Sequence, residues 1–173
     1  MIVVSGEVAP LAGTFDLEVK GTGDNLAVGQ EQVDILLAGP SEVDIAAKRT
    51  TTGFDVKRLL VSNAAVTARG DARISSGDSE ANFDVTLSDV ALLAPEYKGA
   101  LSVKGSASED AKGWSVDLKA DGPYGAIAEV SGLVTGPDAA VNFRGGLPDI
   151  GVFIPEIPGP FSAEGKGEKS SEG

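Results

Sequence analysis

The stretch Asn82-Phe-Asp-Val-Thr-Leu-Ser-Asp89 returns sixty positions later as Asn142-Phe-Arg-Gly-Gly-Leu-Pro-Asp149. Within 82–105, nine residues have an identical counterpart at this interval, namely Asn82, Phe83, Leu87, Asp89, Pro95, Glu96, Gly99, Ser102 and Gly105. Gly39 lies the same distance before Gly99. A fixed period of this length is typical of supersecondary units that stack on copies of themselves, because a single unit cannot bury its apolar side chains alone.

The two ends of the chain fit the period only in part. Phe15 lies 24 positions before Gly39, whereas Phe83 lies 16 positions before Gly99, so the first copy requires an insertion of about eight residues. The unit that begins at Gly159 stops after one strand-like run. We therefore expect a segment of a longer array, with a partial repeat over 1–38, repeats over 39–98 and 99–158, and the start of another over 159–173.

Alternation of apolar and polar residues indicates β-structure almost throughout. Phe83-Asp-Val-Thr-Leu87 and Trp114-Ser-Val-Asp-Leu118 show the period of two that is typical of a strand with one wet face. Short links between such runs favour an antiparallel meander, because parallel pairs need long crossovers. In one repeat the predicted strands lie near 41–47, 53–60, 64–75 and 81–88.

One segment of the repeat departs from the strand pattern. From Leu87 to Pro95 the apolar residues follow a helical spacing, which predicts a short helical turn with Asp89 as its N-cap. The predicted fold class is all-β, an elongated antiparallel sheet built from repeats of about 60 residues and curled into an open hydrophobic groove. The groove is favoured over a closed core because only nine residues are aromatic and many inward positions are Val, Ala or Gly.

The alternation also predicts which residues line the groove. Their neighbours Asp55, Lys57, Asp84, Lys104 and Asp117 should face water. A strand of five residues is about 16 Å long, a width that suits acyl chains. The predicted lipid-binding residues are Val43, Ile45, Phe54, Val56, Phe83, Val85, Leu87, Leu101, Val103, Trp114, Val116, Leu118, Val141 and Phe143.

Composition excludes several chemistries. The chain has no cysteine and no histidine, so thiol catalysis, imidazole bases, disulfides and Cys or His metal sites are excluded. A net charge of −12 argues against nucleic-acid binding, which requires a concentrated cationic face. No apolar run approaches the length of a membrane span. We predict no enzyme activity, no catalytic or metal-binding residue and no cofactor, and the absence of cysteine fits a periplasmic or extracellular protein.

Two phrases of the chain resemble the repeating region of the TamB family, the translocation and assembly module subunits of Gram-negative bacteria. They are Leu87-Ser-Asp-Val-Ala-Leu-Leu-Ala-Pro95, continuing to Ala107, and its echo from Leu147 to Gly165. The run Leu36-Leu-Ala-Gly-Pro-Ser-Glu-Val-Asp-Ile45 resembles the opening strand of a unit in that family.

The resemblance implies a β-taco, an open curled sheet with a hydrophobic interior. It implies a periplasmic protein that is anchored in the inner membrane and reaches an Omp85-class, TamA-like outer-membrane partner through regions outside this segment. Related AsmA-like and bridge-like lipid-transfer proteins imply conduction of phospholipids along that interior. A role in outer-membrane biogenesis, protein assembly and secretion is implied as well.

Several single residues admit a second interpretation. Arg69-Gly-Asp71 matches a cell-adhesion tripeptide, but a match of three residues is expected by chance in a Gly- and Asp-rich chain. Trp114 suits stacking on a sugar, although its alternating strand favours packing on the apolar face. Glu96 and Glu156 suit acid–base or calcium chemistry, but no second carboxylate recurs beside them, which favours a solvated turn.

Two other function classes remain open at this point. A β-rich surface adhesin or autotransporter passenger stalk can also be acidic, Gly-rich and free of cysteine. A stalk built as a parallel β-helix would show coils of about 20–25 residues, whereas the period of this chain is 60 residues. An enzyme or carbohydrate-binding domain needs a convergent polar cluster, which the sequence does not offer.

Overall fold

The computed structural model describes the backbone of residues 2–9 and 13–169, and the side chains of residues 5, 6 and 13–169. Helix accounts for 9% of the chain. It comprises α1 (Glu31–Leu36) and three 3-10 turns, Val90–Leu92, Pro123–Gly125 and Ile150–Val152. The strands are β1 (Ile2–Ala9), β2 (Thr14–Asp24), β3 (Pro40–Arg49), β4 (Gly53–Ser62), β5 (Val66–Ser75), β6 (Ser79–Leu87), β7 (Leu101–Asp110), β8 (Gly113–Asp121), β9 (Ile127–Leu133), β10 (Ala140–Leu147) and β11 (Phe161–Glu168).

The strands form one sheet in which each strand pairs with its neighbours in the sequence. Every pairing is antiparallel, the order runs from β1 to β11, and the sheet is not closed into a barrel. The predicted all-β class and antiparallel meander are therefore confirmed. The curled groove and the division into repeats stay predictions.

The pairing register keeps apolar residues on one face from strand to strand. Directly opposed residues of neighbouring strands share a face, so a continuous chain of opposed pairs defines one row across the sheet. From β2 to β11 the central row consists of Val19, Ile45, Leu59, Gly70, Phe83, Gly105, Leu118, Val130, Phe143 and Gly165. We call the side that carries this row the apolar face and the other side the polar face.

A β-bulge in β4 preserves this one-sidedness. Phe54 and Val56 lie on the apolar face, and strict alternation would next bring Arg58 to that face. The register instead shifts between Val56 and Leu59, so that Leu59 pairs with Ile45 and Gly70 on the apolar face. One extra residue in a strand reverses the parity of all later side chains. The irregularity therefore lies in β4, between the residues that pair with Ala72 and Gly70 of β5.

The connections differ between the two ends of the strands. Tight connections leave one end, which we call the turn margin: 50–52, 76–78, 111–112 and 134–139. The other end, which we call the loop margin, carries every connection longer than six residues in the described chain. Its connections are 25–39, 63–65, 88–100, 122–126 and 148–160.

Apolar burial is concentrated at the loop margin. Val66 and Leu87 are buried there and pack with Leu37, which comes from the connection after α1. Partly buried residues around them are Leu26, Leu36, Val61, Val85 and Leu101. The run from Leu36 to Ile45, expected as a strand, begins instead in the last turn of α1 and enters β3 only at Pro40. The helical end lets Leu37 reach the sheet.

A recurring hydrogen-bonded clasp closes the long connections. Asp89 Oδ1 accepts hydrogen bonds from the backbone N–H groups of Ala91 at 3.0 Å and Gly99 at 2.9 Å, and the Val90 N–H donates to the Gly99 carbonyl at 2.8 Å. The predicted short helical turn with Asp89 as N-cap is thus confirmed. Gly99 has a φ of +123°, a backbone region that favours glycine.

The same clasp is present sixty residues on, and a related clasp with an amide closes at Gly39, sixty residues before Gly99. Asp149 Oδ1 accepts from the N–H of Gly159 at 2.7 Å. Asn25 Oδ1 accepts from the N–H of Gly39 at 2.9 Å, and the Asn25 N–H donates back to the Gly39 carbonyl at 3.0 Å. Gly39 and Gly159 also have positive φ values. The even spacing of the three glycines therefore marks the position at which each clasp closes.

The clasp predicts a stability difference between two substitutions of one residue. Asp89→Ala should lower the midpoint of urea denaturation, because it removes the acceptor of two backbone N–H groups. Asp89→Asn should lower it less, because an amide oxygen fills the same role in the Asn25 clasp. Equal loss in both variants would contradict the clasp as the source of the effect.

The same comparison predicts the direction of a pH effect. Hydrogen bonds from the Gly99 and Ala91 N–H groups lower the pKa of Asp89 below its ordinary value of 3.8. The stabilisation is therefore fully present above that value and is lost as the pH falls through the lower folded pKa. The difference in stability between the wild type and Asp89→Asn should shrink as the pH falls through this range.

Candidate functional site

The register places all fourteen predicted lipid-binding residues on the apolar face. Val56 and Val116, which are sixty residues apart, lie in the row next to the central row, and Ala72, Ala81 and Ala107 lie between them in that row. That these residues contact lipid stays a prediction. Of the neighbours expected to face water, the polar face carries Asp55, Asp84, Lys104 and Asp117, while Lys57 lies in the β4 bulge.

Sequence reasoning missed a comparable number of residues on this face. Leu59 and Val61 escaped because the bulge before them breaks the alternation. Leu17 and Val19 follow the alternation of Phe15-Asp-Leu-Glu-Val19, which could have predicted both of them. The residue that lies in the row of Phe83 is Val19, not Phe15. Others on the face are Val66, Ala68, Ile74, Ala81, Val130 and Phe161.

The apolar face is open. Within residues 2–9 and 13–169 there is one sheet, and no second layer packs on this face beyond the loop-margin cluster. Phe83 in the central row is 36% exposed and Phe143 is 49% exposed. Exposed apolar patches of several hundred Å² on a soluble protein mark interaction sites, because leaving them in water is unfavourable. The face is therefore the candidate functional site.

Glycines make the middle of this face smooth. A Cβ placed on Gly105 would lie 2.9 Å from Phe83 Cζ, and one on Gly165 would lie 2.8 Å from Phe143 Cε1. Each phenylalanine ring therefore lies across the glycine of the next strand, and the two pairs are sixty residues apart. A surface on which rings lie over glycines has few protruding side chains. It therefore suits a flexible apolar chain better than the interdigitating side chains of a second protein layer.

Charge on the apolar face is confined to the turn margin. From β2 to β11 the register places two charged residues on this face, Arg49 at the end of β3 and Glu109 near the end of β7. Glu109 accepts a hydrogen bond from Ser79 Oγ at 2.9 Å. Arg49 is exposed and lies between Phe15 and Phe54, whose rings meet edge to face at 5.8 Å.

The polar face is held by ion pairs between opposed strands. Asp44 receives Arg58 Nη2 at 2.7 Å and Lys20 Nζ at 3.6 Å, and the Arg58 hydrogen bond lowers the pKa of that carboxyl. Glu129 receives Arg144 and Lys119, while Asp84 receives Lys104. Exposed pairs of this kind contribute about 0–1 kcal/mol each. Their chief consequence is that several charged residues of the polar face pair with one another across neighbouring strands.

The residues for which the sequence offered a second interpretation do not form a separate site. Arg69-Gly-Asp71 lies inside β5, where Arg69 and Gly70 are paired on both sides, and Asp71 accepts a hydrogen bond from Asn82. Trp114 lies on the apolar face opposite Glu109. Glu96 and Glu156 are exposed in the long connections, where Asp89 and Asp149 provide the caps.

The described residues offer no candidate for two other kinds of site. No group of three or more Asp or Glu side chains in this part of the chain is placed to hold a metal ion. None of the helices described is long and apolar enough to cross a membrane. Comparisons of the chain with models of protein families, with curated proteins and with solved structures found no match.

Openness predicts unequal costs for two truncations on one strand of the same face. Phe143→Ala should destabilise the fold by about 1–2 kcal/mol, because half of the ring is already in water, whereas Leu147→Ala should cost about 2–5 kcal/mol. Leu147 is the matched control, since it is only 8% exposed. Urea denaturation at two protein concentrations measures both.

A larger cost for Phe143→Ala than for Leu147→Ala would contradict an open face. A cost that grows with protein concentration would indicate that a second copy covers the face in solution.

Proposed function

We propose that the apolar face binds the acyl chains of phospholipids and conducts them along the sheet. The observation that carries the proposal is the continuous central row, which is apolar from β2 to β11 without a charged or hydrogen-bonding side chain. A row of ten strands at about 4.8 Å spacing gives an apolar path of roughly 43 Å. A long path with no polar interruption suits a sliding acyl chain.

The small side chains favour lipid over a second protein layer. Protein cores need large interdigitating side chains, whereas the rows of this face contain Gly70, Gly105, Gly165 and a run of alanines. An acyl chain adapts to such a surface at little cost. The curl that would turn the open sheet into a trough forms part of this proposal.

Within this proposal the chain is a segment of a TamB-like protein. It would lie in the periplasm of a Gram-negative bacterium, in a full-length protein anchored in the inner membrane. Its phospholipid path would then lead toward an Omp85-class, TamA-like partner and would support outer-membrane biogenesis. The residue phrases around Leu87 and Leu147 support this placement, and no enzymatic step is part of it.

The alternative is a surface adhesin or passenger stalk. A stalk requires only a stable shape and has no use for an open apolar face ten strands wide, which exposes it to aggregation. The one-sided pattern therefore favours lipid conduction.

Photo-crosslinking tests the proposal on adjacent, opposite-facing positions. Benzoylphenylalanine at Phe83 or Phe143 should capture phospholipid from vesicles, because both rings are exposed on the apolar face. The same probe at Asp117 or Asn142 on the polar face is the control and should capture none.

Three results would count against the proposal. Equal capture on both faces would show that binding is not face-specific. Crosslinked protein dimers in place of lipid would assign the face to a second copy. No capture at any position would favour the stalk.

A charge placed on the apolar face separates an open path from a closed core. Val116 is half-buried and is flanked by Ala107 and Gly132 on the neighbouring strands, so an arginine stem there can reach water. Val116→Arg should cost only about 1–2 kcal/mol, against several kcal/mol for a buried unpaired charge. Lipid capture by a probe at Leu118 should nevertheless fall sharply.

Ser115→Arg is the matched control, because it adds the same charge next door on the polar face. It should leave both stability and capture near the wild type. Unfolding of Val116→Arg would favour a closed core, and unchanged capture would contradict conduction over this face.

A further inference from the structure

The two margins of the apolar face differ in chemistry. The loop margin holds the buried cluster of Val66, Leu87 and Leu37. Across the described sheet, the turn margin holds the only charged side chains of the apolar face, Arg49 and Glu109. An amphiphile lying along the strands therefore meets a different environment at each end.

Among the described residues, Arg49 is the charged group on this face without a partner. It forms no ion pair and no side-chain hydrogen bond with any described residue, whereas Glu109 accepts a hydrogen bond from Ser79. Because Arg49 is exposed, its guanidinium is accessible to an anionic group of a ligand, and a guanidinium binds phosphate and carboxylate through charge-assisted hydrogen bonds. The nearby carboxylate of Asp16 lies on the polar face and forms an ion pair with Lys48 Nζ at 3.5 Å.

A depression surrounds Arg49 at the turn margin. Its volume is about 570 Å³, and it is formed by Phe15 of β2, residues 49–54 at the β3–β4 turn and residues 74–76 at the end of β5. Phe15 and Phe54 form its apolar wall, and Thr51 adds an exposed residue with a hydroxyl group. The guanidinium and the hydroxyl can bind a phosphate group, and the aromatic wall can contact the acyl chains of the same lipid.

We propose that Arg49 binds the phosphate of a phospholipid whose acyl chains lie on the apolar face. The headgroup is thereby held at the turn margin, and the chains run along the strands toward the loop margin. This inference rests on the proposed lipid-binding function and adds to it the headgroup chemistry and the orientation of the lipid.

Lipid selectivity tests the role of Arg49. Vesicles containing phosphatidylcholine and diacylglycerol with the same chains are mixed with protein and removed, and the lipid that the protein retains is measured. The wild type should prefer phosphatidylcholine. Arg49→Gln should retain roughly tenfold less phosphatidylcholine with diacylglycerol unchanged. Arg69→Gln, an exposed arginine on the polar face, is the control and should keep the preference.

The outcomes separate this inference from the function on which it rests. Retention of both lipids without preference, or a preference that survives Arg49→Gln, would overturn the phosphate site and leave acyl-chain binding standing. Retention of neither lipid would overturn both. Displacement of phosphatidylcholine by excess inorganic phosphate would assign the site to soluble phosphate and would also overturn the proposal.

Orientation has its own readout, because Trp114 is the single tryptophan, and Phe54→Trp combined with Trp114→Phe moves it to the turn margin beside Arg49. Phosphatidylcholine with a doxyl quencher near the headgroup should quench this tryptophan more than one with the quencher near the chain end. Val61→Trp combined with Trp114→Phe moves the reporter to the loop margin of the same strand and should reverse the order. Equal quenching at both margins would refute a fixed orientation.

Discussion

The structure depends on an unbroken cross-strand register. Each row of opposed pairs carries the identity of a face from one strand to the next, so a slip of one residue at any pairing would move every later apolar side chain into the polar face. The β4 bulge shows how strict this constraint is. Without the extra residue, Arg58 and Leu60 would replace Leu59 and Val61 on the apolar face. The bulge is therefore a requirement of the apolar surface.

The long connections maintain the register between the strands that they join. A free connection of thirteen residues between β6 and β7 would allow alternative pairings, but the Asp89 clasp ties its beginning to Gly99 and delivers the chain to β7 in one position. Successive connections also touch, since Phe153 meets the rings of Tyr97 at 5.5 Å and Tyr124 at 5.7 Å. The loop margin is thus a continuous support, which leaves the strands free to present an uncovered face.

An uncovered apolar face has a thermodynamic consequence. A closed sandwich gains stability from two buried faces, whereas this sheet gains it from backbone pairing, the loop-margin cluster and exposed ion pairs of small individual worth. Any apolar occupant adds stability by mass action, because it binds the folded sheet and not the unfolded chain. Binding and stability are therefore coupled in this fold, whatever the occupant is.

The sequence alone determined the fold class, the strand positions, the Asp89 cap and the one-sidedness of fourteen residues, because alternation and turn residues are local properties of the chain. Tertiary structure decided the rest. The bulge that returns Leu59 to the apolar face depends on pairing with β3 and β5, and α1 forms where Leu37 reaches the cluster. The isolation of Arg49 between Phe15 and Phe54 exists only once three strands lie side by side. Such properties arise from register between distant segments, which no local pattern encodes.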